Sequence, residues 1–170
     1  MRIGKINIIY HYIYDIIGYY KKWANMLKDK VFLTSTDTTI GFISQNRDRL
    51  NDIKKRPKDK KFITAMNSFD TLKKITRVPC NYKKMVRRSI KTTFIVKNES
   101  FRVINEKHHS MLLDRLKWAY TTSANLSGDI YNEEFAKENA DVVVYPLKSK
   151  NTKASAIFKL GISNIKRFRG

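Results

Sequence analysis

A single α/β domain built on a mixed sheet is what this sequence predicts, on three observations. Strand-like and helix-like segments alternate along the chain, and two neighbouring strand-like segments are close enough to form a hairpin, so the sheet is not purely parallel. The length, 170 residues of which 42% are hydrophobic, suits one ordinary domain with a buried core. Twelve per cent aromatic residues argue for a folded chain, because disordered segments carry few of them. No internal repeat is visible.

The elements follow in order. Residues 1–30 form an N-terminal extension and residues 31–170 the domain. The extension is rich in Ile and Tyr from Ile6 to Tyr20, but His11, Asp15 and Gly18 interrupt it well short of the ~20 apolar residues that a spanning helix needs. No small-residue cleavage site follows it, which argues against a signal peptide. It fits an amphipathic helix packed on the domain, a membrane-surface helix, or an upstream stretch outside the functional unit, with translation able to begin at Met26. Val31 to Thr34 reads as a buried strand entering the polar turn Ser35 to Thr38, and Gly41 marks a close bend. Arg47 to Lys55 has helical spacing, with Leu50 and Ile53 on one face. Pro57 stops it, since the residue before proline avoids helical angles.

Phe62 to Met66 is a second strand, and Ser68 caps a helix beginning at Phe69. A basic helix spans Tyr82 to Arg88. Thr92 to Val96 and Phe101 to Ile104 are the hairpin strands, joined through the turn formers Asn98 and Ser100. His109 to Leu116 is helical, Trp118 to Thr121 extended, and Thr122 to Gly128 a polar loop before a helix over Asn132 to Asn139. Asp141 to Tyr145 and Ala154 to Phe158 close the series as strands.

Thirty-five Lys and Arg against 15 Asp and Glu leave a net charge of +20, which favours polyanions or anionic substrates. A compositional preference for lysine on solvated faces accounts for the charge equally well. Cys80 is the single cysteine, so no intramolecular disulfide and no cysteine-based zinc site can form, as suits a reducing cytoplasm. His108 and His109 have no Cys or carboxylate at ligand spacing and read as surface residues, and no structural metal is expected.

Three polar segments lie beside strands, where α/β sheets place ligand sites: the Thr36 turn, the run Lys54 to Lys61 and the Ser123 loop. Lys54, Arg56 and Lys60 would neutralise a triphosphate during attack at its α-phosphorus; the same run also reads as a solvated helix end whose cations favour the helix dipole. Ser123 and Asn125, two apart, would face one ligand from an extended loop, or satisfy their own backbone. No Walker-type or GxGxxG loop is present, and no Ser-His-Asp or Cys-His arrangement, so catalysis would rest on positioning and electrostatics.

Taken together these segments resemble the YrdC family of threonylcarbamoyl-AMP synthases. Ser35-Thr-Asp-Thr-Thr-Ile-Gly-Phe42 is similar to its PTDTVYGL opening, Lys54-Lys-Arg-Pro57 to KxRP, Phe101-Arg-Val-Ile104 to its RVP strand, and Thr122-Ser-Ala-Asn-Leu-Ser-Gly128 to TSANxSG. Lys153 to Ile157 resembles PSTIV and Arg169-Gly170 the closing RxG. The motifs stand in family order over Val31 to Gly170.

The resemblance implies a YrdC-like twisted mixed sheet, parallel and antiparallel, flanked by helices, with a positively charged concave face. It implies a nucleotidyltransferase making threonylcarbamoyl-adenylate and pyrophosphate from L-threonine, bicarbonate and ATP, for tRNA modification in the cytoplasm. Thr36, Arg102, Ser123 and Ser155 would hold threonine, with Arg102 on its carboxylate. Lys54, Arg56, Lys60, Asn125 and Arg169 would hold ATP, Lys54 and Arg56 at the reacting phosphates, and Mg2+ would bridge phosphate oxygens. Asp37 would organise the turn and not act as a base. Partner proteins would pass the intermediate to tRNA, and Arg77, Lys83, Lys84, Arg87, Arg88 and Lys91 would meet RNA phosphates.

Departures from the family pattern are Ser35 for Pro, Ile40 for Tyr, Ala156 for Thr, and Ser89 to Lys91 for PGP. Ile40 removes a hydroxyl and a ring from the threonine pocket. These changes keep a second reading in play, a non-catalytic YrdC-like protein binding double-stranded RNA or tRNA. A third, the carbamoyl transferase domain of hydrogenase maturation, ranks lower because those chains carry further domains.

Overall fold

The structure is a computed structural model and describes residues 25–57, 59–148 and 154–169. The expectations for the first 24 residues, Lys153 and Gly170 fall outside the described residues. Among those described, nine strands form one mixed sheet. They are β1 (Phe32–Ser35), β2 (Ile40–Ser44), β3 (Ile63–Met66), β4 (Thr92–Val96), β5 (Glu99–Val103), β6 (Trp118–Ser123), β7 (Val142–Val144), β8 (Ala156–Leu160) and β9 (Ile165–Arg169). Their order across the sheet is β7-β1-β2-β6-β3-β5-β4-β8-β9. The β1–β7, β3–β5 and β4–β8 pairs are parallel, and the rest antiparallel. The fold is the α/β domain on a mixed sheet that the sequence predicts.

Among the described residues the helices that pack on it are α1 (Arg47–Lys54), α2 (Phe69–Ile75), α3 (Lys83–Arg88), α4 (Lys107–Leu116) and α5 (Glu133–Glu138), with a 3-10 turn at Cys80–Tyr82. Caps fix their starts: Asn46, Ser68, Glu106 and Asn132 each accept from a backbone N–H in the first turn, satisfying donors the helix cannot. Lys55, not Pro57, ends α1, by turning left-handed at φ 45° and donating back to Asn51 and Asp52.

The sheet register sorts the core onto two faces. One face carries two clusters: Phe42, Leu33 and Ile40 with Leu50 of α1 and Ala136 of α5, and Met66, Phe94, Phe101 and Val96 with Leu72 of α2 and Val86 of α3. The other face carries Ile43, Ala65 and Ala119 beneath Leu113 and Leu116 of α4.

Two strands depart from expectation. β2 occupies the segment read as a bend at Gly41. Gly41 is there because β2 runs close against β6: a Cβ on it would lie 2.6 Å from the Thr122 carbonyl oxygen. β9 was legible only as an ending Arg-Gly pair. All five of its residues are exposed, so it shows none of the apolar alternation that marks a strand. The β4–β5 hairpin turns on Lys97 and Asn98, both at positive φ (49° and 66°), and Ser100 lies inside β5.

Candidate functional site

The register places the polar residues of several strands on the α4 face. Gly41 pairs with Ser123 and Ile43 with Thr121 across β2–β6; Ile63 pairs with Thr121 and Ala65 with Ala119 across β3–β6; and Ala65 pairs with Arg102 across β3–β5. Paired residues point the same way, so Ser123, Thr121, Ile63 and Arg102 share the face of Ile43 and Ala65. Where α4 no longer covers that face, a cavity of about 410 Å³ opens. Thr36, Arg102, Ser123 and Ser155 all line it, with Arg169 at the end of β9. Of the residues expected to hold ATP, only Arg169 lines this cavity.

Thr36 organises the turn that enters it. Its hydroxyl accepts from the Thr38 and Thr39 N–H groups and donates to the Thr39 carbonyl at 2.6 Å. Asp37 is thereby released from turn-making, and its role differs from the one expected. Arg102 Nη1 donates to both of its carboxylate oxygens, at 2.7 and 2.9 Å, while Arg102 Nη2 donates to Thr93 Oγ1 at 2.9 Å. Both partners are buried, Asp37 4% and Arg102 5% exposed. The guanidinium is therefore already neutralised where a free cation was expected for a substrate carboxylate, although its Nε still lacks a partner.

His109 completes this cluster and corrects the surface reading. It is 1% exposed, with Nδ1 3.9 Å from Asp37 Oδ1. Burial, the largest cause, lowers its pKa from 6.5 to about 4 against the pull of Asp37. The sequence signal was the spacing of His109, Leu113 and Leu116, all buried on one side of α4.

Lys54 sits beside the cavity, at the C-terminus of α1, four residues after the buried Leu50 and so on the same inward face. Its Nζ donates to the Ser123 carbonyl at 2.9 Å, to Asn125 Oδ1 at 3.1 Å and to the Asn125 carbonyl. Three acceptors take all three N–H bonds of the ammonium. Burial first, then Arg56 and Lys60, lower its pKa to about 8, with Asp129 opposing. Asn125 Nδ2 donates to the Asp129 carbonyl, so its amide is engaged within the loop and does not join Ser123 in the cavity.

Arg56 stacks 3.7 Å above the Phe62 ring, and its Nε and Nη2 are buried without a partner. Burial lowers its pKa, helped by Arg47. Lys60 is exposed. Arg169 donates to the Ser155 carbonyl and hydroxyl at 3.0 and 3.1 Å, fixing the buried Ser155 at the cavity wall. The arrangement is a cavity rimmed by hydroxyls, joined through the Lys54 to Ser123 contact to the cations of the Lys54 to Lys60 run.

A family model described as "Sua5_yciO_yrdC: Telomere recombination" matches residues 24–169. The chain belongs to the Sua5/YciO/YrdC family. Its fold is similar to that of E. coli YciO (TM-score 0.68, 16% identity, covering 88% of this chain and 87% of that one). P. abyssi Sua5, in a structure complexed with L-threonine, gives a TM-score of 0.72 at 16% identity, covering 87% of this chain and 52% of that one. Full-length HypF gives 0.68 at 18% identity, covering 88% and 24% respectively. The chain thus spans about half the length of P. abyssi Sua5 and about a quarter of HypF. No significant match is found among curated proteins. At these identities the neighbours establish the fold alone. Among the described residues no helix is long and apolar enough to cross a membrane.

Proposed function

We propose that this protein is a threonylcarbamoyl-AMP synthase. The observation that carries the reading is the convergence of Thr36, Arg102, Ser123, Ser155 and Arg169 on one 410 Å³ cavity, from five separate parts of the chain. The threonine bound by P. abyssi Sua5 supports an amino acid as the occupant. Threonine's amine attacks bicarbonate and water leaves, giving the carbamate; a carbamate oxygen then attacks the α-phosphorus of ATP, and pyrophosphate departs.

The residues contribute by position and charge. Thr36, Ser123 and Ser155 offer hydroxyls to threonine. Arg169, without a carboxylate partner among the described residues, offers N–H groups to anionic oxygens. Arg56 would have to leave its buried place over Phe62 to meet a phosphate, and Lys54 must exchange a loop carbonyl for one. There these cations would face the charge that develops on the leaving pyrophosphate.

Magnesium would enter with ATP and neutralise its phosphate oxygens. Among the described residues no three histidine, cysteine or carboxylate groups gather as a metal site, and Asp37 is engaged by Arg102. In this reading the ion is held by nucleotide and water, with few protein carboxylates needed. Use of the product on tRNA, with partner proteins, in the cytoplasm, belongs to the same reading.

Incubation with ATP, threonine and radiolabelled bicarbonate tests it: the label should appear in an adenylate resolved by nucleotide chromatography, and label that never leaves bicarbonate refutes it. The neutralised Arg102 and the engaged Lys54 favour the second reading, a non-catalytic RNA-binding protein whose pocket has drifted. That reading requires RNA affinity falling steeply with salt and no threonine binding by calorimetry.

A further inference from the structure

A second cavity, about 700 Å³ in volume, lies at the far end of the β4–β8 pair. The first cavity adjoins Ser155, just before β8, and the second adjoins Val96 and Leu160, where β4 and β8 end. Val96 shares the face of Phe94, while Thr93, the partner of Arg102, points to the other. The two cavities therefore open on opposite faces and are separate sites.

The floor of the second cavity is the rim of the main apolar core, Val78, Val96 and Leu160. Ile162 lines it too and is 89% exposed, an aliphatic surface left to water. Among the described residues, Arg77 and Lys97 are its only charged lining residues, and neither takes part in an ion pair there. No aromatic ring among the described residues lines it, so they offer a nucleobase nothing to stack on. No carboxylate among the described residues lines it, and the charges that do are positive, which disfavours a cation. Aliphatic walls under two unpaired cations select a ligand with an apolar chain and an anionic head.

We propose that this cavity binds an aliphatic carboxylate, its chain against Val78, Val96, Leu160 and Ile162 and its head between Arg77 and Lys97. The volume falls within the ~300–1,000 Å³ range of small-molecule sites. Chain length should govern affinity, each buried methylene tightening binding about fourfold.

Cys80 supplies the test. It is the chain's single cysteine, it is exposed, and it lines the cavity, so its alkylation by uncharged iodoacetamide reports occupancy. Decanoate at about ten times its dissociation constant should slow alkylation roughly tenfold. Octanoate and hexanoate should protect at progressively higher concentrations, and decyltrimethylammonium should not protect. The double variant Arg77→Glu with Lys97→Glu changes exposed side chains only and should lose the protection. An unchanged alkylation rate with decanoate, equal protection by the cationic amphiphile, protection surviving in the double variant, or protection by an RNA oligonucleotide alone would each overturn the assignment.

Discussion

Acid should destabilise this protein through His109, by an amount that follows from where the ring sits. The side chain is 1% exposed and neither ring nitrogen has a hydrogen-bond partner among the described residues. Burial lowers its pKa from 6.5 to about 4; Asp37 and Glu106 raise it, Arg102 and His108 lower it further. The sign follows from which state takes the proton. Above pH 6.5 the ring is neutral in both states and the stability is fully present. As pH falls below 6.5 the unfolded chain binds a proton that the folded one refuses, and stability drains away until the folded ring also protonates near pH 4. The gap between 6.5 and about 4 corresponds to about 3 kcal/mol, a large fraction of the ~5–15 kcal/mol that holds a domain together. His109→Leu removes the titration and keeps an apolar side chain of similar size against α4's neighbours. Urea denaturation of both proteins, stepped down from about pH 7 to about pH 4, should show wild type losing about 3 kcal/mol more than the variant. Parallel losses in the two would refute the reasoning.

Three further outcomes follow from the site. Asp37→Ala strands the 5%-exposed Arg102 charge and should cost ~3–5 kcal/mol of folding stability; a melting temperature unchanged from wild type would show the pair to be dispensable. Lys54→Ala should lower synthase kcat/KM by a hundredfold or more, ~3 kcal/mol. In wild type, kcat/KM should fall as pH rises through about 8, where burial and the neighbouring cations leave the ammonium to lose its proton; an alkaline limb near the ordinary 10.5 would contradict this. Gly41→Ala forces a methyl to 2.6 Å from the Thr122 carbonyl oxygen. It should cost ~1–3 kcal/mol and weaken threonine binding by moving Ser123; calorimetry matching wild type would clear Gly41 of that role.

What the sequence disclosed depended on whether a residue's neighbours were local. The cap at Ser68 and the alternation of strands with helices are local patterns, and they were legible. The Thr36 turn was legible as a turn, but its organiser was assigned to Asp37, because nothing nearby in sequence marks Arg102, 65 residues away, as the carboxylate's partner. His109 was misread as a surface residue since its burial depends on α4 packing over β1 and β6. The Lys54 run divided in a way that its composition could not foretell: Lys54 folds inward onto the Ser123 loop, Arg56 onto Phe62, and Lys60 stays in water. β2 hid behind Gly41, and β9 behind its own polarity.

Pyrophosphate release from ATP by the purified protein is the most direct test of the whole account. With threonine and bicarbonate both supplied, release should be sustained, and leaving out either one should stop it. Release that continues at the same rate without threonine, or none in the complete mixture, would contradict a chamber built to join an amino-acid carbamate to AMP.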